Sequence, residues 1–342
     1  MQKLAALFFF VFILSSCVKD KPVPAEAAAV EFSSGKKVFV INEGPFGGNG
    51  NGSISLYDPQ TNEVVENYYQ VQNKAEIGNI AQSMNYISGS YYIVVNNANK
   101  IIVCNDQLKK TAEIKGLTSP RYILALTNKK AYVSDLYANA ISIVDLATNA
   151  KTGSIACYGK TEKMVSYYNK VFVTNTDREY VYVIDALQDA ITDSVYVGWN
   201  AASVVMDKND KIWVVGSGKT SVSPGRLTRF NPATNSIEAN FIFAPGTLPG
   251  SLCLNKSKDL LFYLEEGIHK MSITDASLPS QVFIPKETKN FYGLGVNPND
   301  GSIYAADALD YSQRSQIYVY NPDGSVKTDF KAGVIANGFY FE

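Results

Sequence analysis

Five carboxylates follow short apolar runs, at points where their side chains could share one surface. They are Glu43, Asp135, Asp177, Glu265 and Asp307. Carboxylate oxygens are the ligands that a hard cation such as calcium prefers, and a bound cation can support hydrolysis. Their spacing matches no calcium-binding motif, so calcium is a candidate ion and not an expected cofactor.

Nucleophilic catalysis has little support in this sequence. The chain contains one histidine, His269, which lies in the strand-like run GIHKMSI. A Ser-His-Asp or Cys-His arrangement needs a histidine beside the nucleophile, and His269 is better interpreted as a strand residue that is packed or exposed. We therefore predict that the protein is not an enzyme and bears no cofactor. A metal-dependent lactonase or other hydrolase is the alternative.

Polar residues recur where seven apolar runs end, and we refer to them as the strand-end set. Its members are Asn42, Asn96, Asp135, Asn175, Ser217, Glu265 and Asp307. One interpretation is that they satisfy backbone groups at the ends of strands. The other is that they converge on a shared opening and bind a ligand there.

Aromatic residues lie in the neighbouring loops, namely Phe46, Tyr137, Trp199, Phe291, Tyr292 and Tyr311. Arg121, in TSPRYI, could donate hydrogen bonds into the same opening. Aromatic and amide groups together suit a large, polar, mostly uncharged ligand. The predicted binding residues are Asn42, Glu43, Phe46, Asn96, Arg121, Asp135, Tyr137, Asn175, Trp199, Ser217, Glu265, Tyr292, Asp307 and Tyr311.

The elements that must position these residues repeat along the chain. VFVTNTDREYVYVID (171–185) joins an apolar run that ends in a polar residue to an alternating run that ends in Asp. Seven copies of each half occur, and the aromatic residues Tyr92, Tyr132, Phe172, Trp213, Phe262 and Tyr304 mark the first half in six of them. Repeats of about 40 residues are typical of propeller blades.

Each repeat predicts four short antiparallel strands. Turn sequences such as DPQTNEV and NPATNSI follow the alternating run, and a further strand follows each turn, as in ENYYQVQ (66–72) and TGSIACYG (152–159). An innermost strand precedes each apolar run, as in AQSMNYI (81–87). The fold class is therefore all-β, a seven-bladed β-propeller.

The two ends of the repeat region predict how the ring closes. The first repeat lacks its innermost strand, and the chain stops with NGFYFE (337–342), which has the pattern of one. We expect residues 339–341 to pair with residues 38–41, so that no sheet edge stays open. Three long loops then share one face with the strand-end set: EGPFGGNGNG (43–52), GSGKTSVSPGR (216–226) and DALDYSQRS (307–315). Long loops on one face favour binding there.

The chain opens with MQKLAALFFFVFILSSC, in which eleven apolar residues (4–14) follow a basic start. This run is too short for a permanent transmembrane helix and is typical of a signal peptide. LSSC (14–17) matches the bacterial lipobox, so we predict a signal peptide at 1–16, lipidated Cys17 with a flexible tether to residue 35, and the propeller at 36–342. Acylated Cys17 would anchor the protein to a bilayer. The alternative is an ordinary signal peptide with an incidental cysteine.

Charge and cysteine content exclude several classes of partner and site. The chain has 31 basic and 32 acidic residues with no basic block, so a nucleic-acid partner is not expected. Three further cysteines, Cys104, Cys157 and Cys253, are widely spaced. An odd number without close spacing argues against a disulfide framework or a zinc site, and we expect small buried side chains.

VFVTNTDREYVYVID resembles the YVTN or YncE-like repeat family of seven-bladed propellers. Three stretches, VFVINEGPFGGNGNGSISLYDP (38–59), IAQSMNYISGSYYIVVNNANKIIV (80–103) and GLTSPRYI (116–123), are similar to a narrower group. With the lipobox, they resemble the BtuG family of surface cobalamin-binding lipoproteins of gut Bacteroidetes. This resemblance implies capture of cobalamin (vitamin B12) or a related corrinoid, as a transported ligand and not a cofactor.

The same resemblance implies a partner, a BtuB-like TonB-dependent outer-membrane transporter that receives the vitamin. It implies an outer-membrane lipoprotein that faces outward. VKDKPVP, after Cys17, has only scattered charge, which leaves the periplasmic side as the alternative. A propeller that serves as a protein-interaction scaffold in a surface complex is a further alternative to ligand capture.

Overall fold

The computed structural model describes residues 36–46, 50–220 and 222–342. Seven four-stranded antiparallel sheets follow one another along this part of the chain, as in a seven-bladed β-propeller. The predicted signal peptide, lipidated Cys17 and tether lie outside the described residues. No helix in the described ranges combines the length and the apolar character needed to cross a bilayer.

The first blade contains both ends of the propeller, and the next two blades follow in chain order. The first comprises β1 (Val38–Asn42), β2 (Ser53–Asp58), β3 (Glu63–Val65) and the last strand, β28 (Ala336–Phe341). Helix α1 (Tyr68–Asn73) leads to the second, which comprises β4 (Ala81–Ile87), β5 (Ser90–Val95), β6 (Lys100–Cys104) and β7 (Lys110–Ile114). The third comprises β8 (Pro120–Ala125), β9 (Lys130–Asp135), β10 (Ala140–Asp145) and β11 (Ala150–Ala156).

The remaining four blades repeat the same order from the innermost to the outermost strand. The fourth comprises β12 (Thr161–Tyr167), β13 (Lys170–Asn175), β14 (Tyr180–Asp185) and β15 (Ala190–Tyr196). The fifth comprises β16 (Ala201–Met206), β17 (Ile212–Gly216), β18 (Arg226–Phe230) and β19 (Ile237–Ile242). The sixth comprises β20 (Gly250–Leu254), β21 (Leu260–Leu264), β22 (Gly267–Ser272) and β23 (Ile284–Pro285). The seventh comprises β24 (Phe291–Val296), β25 (Ile303–Asp307), β26 (Arg314–Tyr320) and β27 (Val326–Val334).

The ring closes through β28, as the sequence predicts. This strand pairs with β1 in antiparallel register, with Val40 opposite Phe339 and Val38 opposite Phe341. The rings of Phe339 and Phe341 pack 5.5 and 5.2 Å from that of Tyr304 in the seventh blade. The closing strand therefore joins the sheet of the first blade to the core of the last.

Asparagine and aspartate in the predicted turns explain the hairpins between third and outermost strands. Asn62, Asn149, Asp189 and Asn235 all have φ between 52° and 60°, the left-handed conformation that these residues tolerate best. The Asp145 carboxylate accepts hydrogen bonds from the backbone of Ala147 and Thr148 in one such turn. The turn chemistry thus sets the length of each hairpin locally.

One predicted strand is wrong. The segment ENYYQVQ (66–72) alternates like a strand, but residues 68–73 form helix α1 after a three-residue β3. Asn67 at φ 50° ends the strand, and buried Tyr69 turns into the cluster around Ile54 and Ile77. The Asn73 side chain donates to the Leu108 carbonyl at 2.8 Å, which ties the helix to the second blade.

Apolar clusters lie between consecutive blades. The second strands are buried along their length because a neighbouring blade covers each face, whereas outermost strands such as β11 and β19 are largely exposed. Cys104 and Cys157 are buried free thiols, and Cys253 is partly buried. The predicted role of the cysteines as small packed side chains is confirmed.

Candidate functional site

Every innermost strand begins with a β-bulge on the same face of the propeller. In the second blade Ala81 pairs with Val95 and Ser83 with Val94, so Gln82 has no partner in the ladder. The other six innermost strands show a register shift at the same place. Bulges re-aim side chains next to functional sites. The second residues of these strands form what we call the mouth ring: Gln82, Arg121, Glu162, Ala202, Ser251, Tyr292 and Asn337.

Hydrogen bonds connect the mouth ring from blade to blade. The Arg121 guanidinium donates to Glu162 Oε2 at 2.9 Å and also to Gln82 Oε1. The Asn337 amide donates to the Gln82 carbonyl at 2.9 Å. Four adjacent blades therefore share one continuous polar network.

Glu43, just after β1, completes this network from the loop side. Its carboxylate accepts from Asn337 Nδ2 at 2.8 Å and from the Tyr292 hydroxyl at 3.2 Å. The Ser251 hydroxyl donates to the Tyr292 carbonyl at 3.3 Å, which extends the contacts to the sixth blade. Glu43 was predicted as a binding residue, and the structure places it against two members of the mouth ring.

Burial sets the electrostatics of the two carboxylates. Burial raises the pKa of Glu43 above its ordinary value, although hydrogen bonds from Asn337 and Tyr292 and the charge of Arg121 oppose the shift. Burial likewise raises the pKa of Glu162, against the charge and hydrogen bond of Arg121. Both carboxyls therefore hold a proton more readily than exposed glutamates do.

A cavity of about 390 Å³ lies among the innermost strands. Polar groups on its lining include Gln82, Asn85, Tyr122, Lys163, Ser203 and Asn337. Gln82 and Asn337 belong to both the cavity and the mouth ring. The mouth ring is therefore continuous with the central cavity.

Five of the seven side chains in the strand-end set form hydrogen bonds with backbone groups. The side chains of Asn42, Asn96, Asp135, Asn175 and Asp307 are buried. Asp135 Oδ2 accepts from the amides of Thr118 and Ser119, and Asp307 Oδ1 accepts from Asn290 and Leu309. The amides of Asn42, Asn96 and Asn175 donate to backbone carbonyls. These hydrogen bonds satisfy backbone groups at the ends of strands, which is one of the two interpretations of the sequence. A role of these residues in ligand binding stays a prediction.

The other two members make side-chain contacts. Ser217 accepts a hydrogen bond from the Asn200 amide. Glu265 Oε2 lies 2.9 Å from Nε2 of His269, whose ring stacks 5.1 Å from that of Tyr263. His269 is thus a packed strand residue, one of the two interpretations of the sequence.

Four of the six predicted aromatic residues, Phe46, Tyr137, Trp199 and Tyr311, lie on loops of the same face, whereas Phe291 and Tyr292 begin β24. Phe46 and Tyr137 are 53% and 64% exposed, and Tyr311 stands edge-on to Tyr292 with centroids 5.7 Å apart. The ammonium group of Lys219 lies 4.4 Å from the centroid of the Trp199 ring. Phe291 differs from the loop residues, because it packs beside Tyr318 against the apolar cluster between the sixth and seventh blades.

Each of the five carboxylates predicted as possible cation ligands contacts its own set of protein groups. Asp177 pairs with Lys160 at 3.4 Å, and the other four make the contacts given above. Within residues 36–46, 50–220 and 222–342, no three His, Cys, Asp or Glu side chains are grouped closely enough to hold a metal ion.

Sequence reasoning missed Gln82, Glu162, Lys163 and Asn337. A usable signal was present, because the second residue of each innermost run can be aligned across the seven repeats. At this aligned position, four consecutive blades each have an amide or a charged side chain. The bulge that turns this position toward the channel has no comparable marker in the sequence.

A family model described as a domain of unknown function, DUF5074, matches residues 36–342. None of the curated proteins matches the sequence at a significant level. Among solved structures, a quinonprotein alcohol dehydrogenase-like protein from Bacteroides thetaiotaomicron is similar with a TM-score of 0.69 and 16% identity, over 90% of this chain and 78% of that one. A periplasmic gluconolactonase from Pseudomonas aeruginosa is similar with a TM-score of 0.65 and 11% identity, over 90% and 98%. At these identities the likeness concerns the fold alone.

Proposed function

The chain belongs to the DUF5074 family, whose description states no function, and we propose that its propeller is a binding protein for cobalamin or a related corrinoid. The observation that carries the proposal is the mouth ring with its surroundings. Amide, guanidinium, phenol and carboxyl groups of five consecutive blades meet around one opening. Exposed aromatic side chains lie on the loops of the same face.

The chemistry of a corrinoid suits such a surface. A corrinoid is large and carries many peripheral amides, each of which both donates and accepts hydrogen bonds. Gln82 and Asn337 offer the complementary groups, and Arg121 adds donors. Phe46, Tyr137 and Trp199 supply apolar area without charge, which suits the faces of a large flat ring. Holding such a ligand requires no proton transfer.

We further propose that the protein delivers its ligand to a BtuB-like TonB-dependent transporter. In this proposal acylated Cys17 anchors it to the outer membrane facing outward, with the periplasmic face as the alternative. The flexible tether predicted from the sequence between Cys17 and residue 36 would let the mouth meet a partner in the same membrane. A protein-interaction scaffold is the alternative to ligand transfer.

Coelution provides the direct test of binding. Protein containing residues 18–342 is mixed with cyanocobalamin and separated by gel filtration at visible wavelengths. The expected result is red colour that travels with the protein. A matched control is Tyr168→Ala, since Tyr168 is 87% exposed in the turn between β12 and β13, at the opposite ends of the strands. Colour that elutes only at the position of free vitamin contradicts the proposal.

A second candidate is hydrolysis, because Glu43 and Glu162 are buried carboxyls with raised pKa values beside an arginine. Such a carboxyl can act as a general acid or base near neutral pH. The test is turnover of gluconolactone with and without a chelator, in the native protein and in Glu43→Gln. Turnover above background that Glu43→Gln abolishes would favour a hydrolase over a binding protein.

A further inference from the structure

We propose that the central cavity contains a binding site for a small anionic group, a phosphate or a carboxylate, at the ammonium group of Lys163. This site is distinct from the mouth ring, although the two are continuous. It does not depend on the identity of the ligand at the mouth. The inference rests on the charge of the cavity lining, on the partners of Lys163 and on the space around it.

Lys163 is the one charged residue that lines the cavity in the described part of the chain. The other polar groups of the lining are hydroxyls and amides, including those of Asn85, Tyr122, Ser203 and Ser251. None of these groups carries a charge that could neutralise a cation. The Ser203 and Ser251 hydroxyls already donate to backbone carbonyls, and so does the Asn85 amide. The lining therefore carries a positive charge without a counter-charge of its own.

The ammonium group has few partners in the protein. Nζ lies 3.4 Å from Ser203 Oγ, at the long limit of a hydrogen bond, and 5.9 Å from the centroid of the Tyr122 ring. The neighbouring carboxylate of Glu162 is bonded to Arg121 instead. Since an ammonium group has three donors, most of its capacity is unused by the described residues.

Because no neighbouring group neutralises the charge of Lys163, burial disfavours protonation of this amine. Burial lowers the pKa of Lys163, and nearby Cys253 and Glu162 only partly oppose the shift. Burial raises the pKa of the Cys253 thiol to about 12, so this thiol is neutral beside the lysine. An anion that entered the cavity would restore the charge balance that neither neighbour provides.

The space is sufficient for such a group. A water molecule occupies about 30 Å³ in the liquid, so a cavity of about 390 Å³ holds a phosphate or carboxylate with several waters. The anion can be free in solution or can be the acidic group of a larger ligand that enters through the mouth.

The first arm of the test uses free anions. Inorganic phosphate and acetate are titrated into the protein by calorimetry at constant ionic strength, with Lys163→Met and, as a matched control, Lys208→Met. Lys208 lies in an exposed ion pair with Asp259. We expect saturable binding that weakens at least tenfold in Lys163→Met and is unchanged in Lys208→Met. If Lys163→Met does not fold, Lys163→Gln serves instead, because it keeps a group able to bond to Ser203.

The second arm asks whether the anion belongs to a larger ligand. Cyanocobalamin contains a phosphodiester that dicyanocobinamide lacks, and both are titrated into the same variants. If Lys163→Met weakens the binding of cyanocobalamin but not that of dicyanocobinamide, the result supports the site, with the phosphate of the ligand as its occupant. The proposal is overturned if Lys163→Met changes neither free-anion binding nor the difference between the two corrinoids. If neither changes while both corrinoids still bind the variant, this site is refuted and the proposed function stands.

Discussion

Arg121 and Glu162 occupy the same position in two adjacent innermost strands, and their side chains meet with Nε 2.9 Å from Oε2. Both side chains are largely buried, at 18% and 8% exposure. The pair exists because the bulges of β8 and β12 turn equivalent residues toward the same opening. A local irregularity repeated in every blade thus creates a site that regular strands would not.

Breaking this pair is expected to destabilise the propeller strongly. Arg121→Met leaves Glu162 buried without its cation, and removing one partner of a buried pair costs about 3–5 kcal/mol. The double variant Arg121→Met/Glu162→Met is expected to lose less than the sum of the single losses, since neither charge is then stranded. Urea unfolding followed by tryptophan fluorescence measures the free energy of unfolding of Arg121→Met, Glu162→Met and the double variant.

An exposed ion pair provides the matched control for that series. Lys211 lies 2.6 Å from Glu238 at the surface of the fifth blade, and we expect Lys211→Met to cost less than about 1 kcal/mol. Equal losses for Arg121→Met and Lys211→Met would mean that the Arg121–Glu162 pair is no more important for stability than a surface contact.

The raised pKa of Glu43 predicts a pH dependence of stability. Because the folded pKa lies above the unfolded value near 4.5, the folded state binds more protons between the two values, and stability falls as pH rises through this window. Glu43→Gln removes the ionised form. Its free energy of unfolding should therefore increase relative to the native protein from about pH 4.5 upward, until the pH passes the folded pKa of Glu43.

Glu113→Gln is the control for this measurement, because the pKa of Glu113 is shifted in the opposite direction. The hydrogen bond from Lys110 lowers the pKa of Glu113, so its contribution is present above the unfolded pKa and is lost as pH falls. Glu113→Gln should accordingly differ most from the native protein near neutral pH, and in the destabilising direction. Parallel pH curves for Glu43→Gln and the native protein would show that burial does not perturb Glu43.

The sequence predicts the blades better than it predicts the site. Strand order, ring closure and turns follow from local periodicity and from residues such as Asn149, whose left-handed conformation belongs to the turn itself. The strand-end residues were visible because each ends an apolar run, yet Asp135 and Asn175 are mainly bonded to backbone. Gln82 and Glu162 were missed because a bulge is defined by pairing across strands, which one sequence does not display.

Helix α1 shows the same limit in a different way. ENYYQVQ has the alternation of an outer strand, but β3 ends after three residues, and Tyr69 gains a buried position beside Ile77 by turning. Tertiary packing thus overrides a local strand preference, which is common because strand propensity mainly reflects neighbours.

Removing the closing strand should open the ring. A chain that ends at Ile335 loses β28 and leaves the backbone of β1 and the aromatic core around Tyr304 uncovered. We expect a lower urea midpoint and loss of a single cooperative transition. Removing Glu342 alone is the graded control, because it deletes the hydrogen bonds of this residue with Lys37, Tyr91 and Asn299 but leaves β28 in place. Each lost bond costs about 1–3 kcal/mol at most. A truncated chain that melts like the full one would refute closure through β28.

Ligand contacts on the loops can be separated from stability. Phe46→Ala and Trp199→Ala each remove an aromatic side chain from the mouth face, and Phe46 is already 53% exposed, so the fold loses little. If the proposed site is correct, we expect cyanocobalamin binding to weaken about tenfold or more, as for an aromatic anchor in an interface, with melting temperature nearly unchanged. Equilibrium dialysis and thermal melts on the same samples measure both quantities, with Tyr168→Ala on the opposite face as the control. Unchanged affinity in both variants would place the corrinoid away from these loops, whereas an equal loss in Tyr168→Ala would indicate a general effect on the protein.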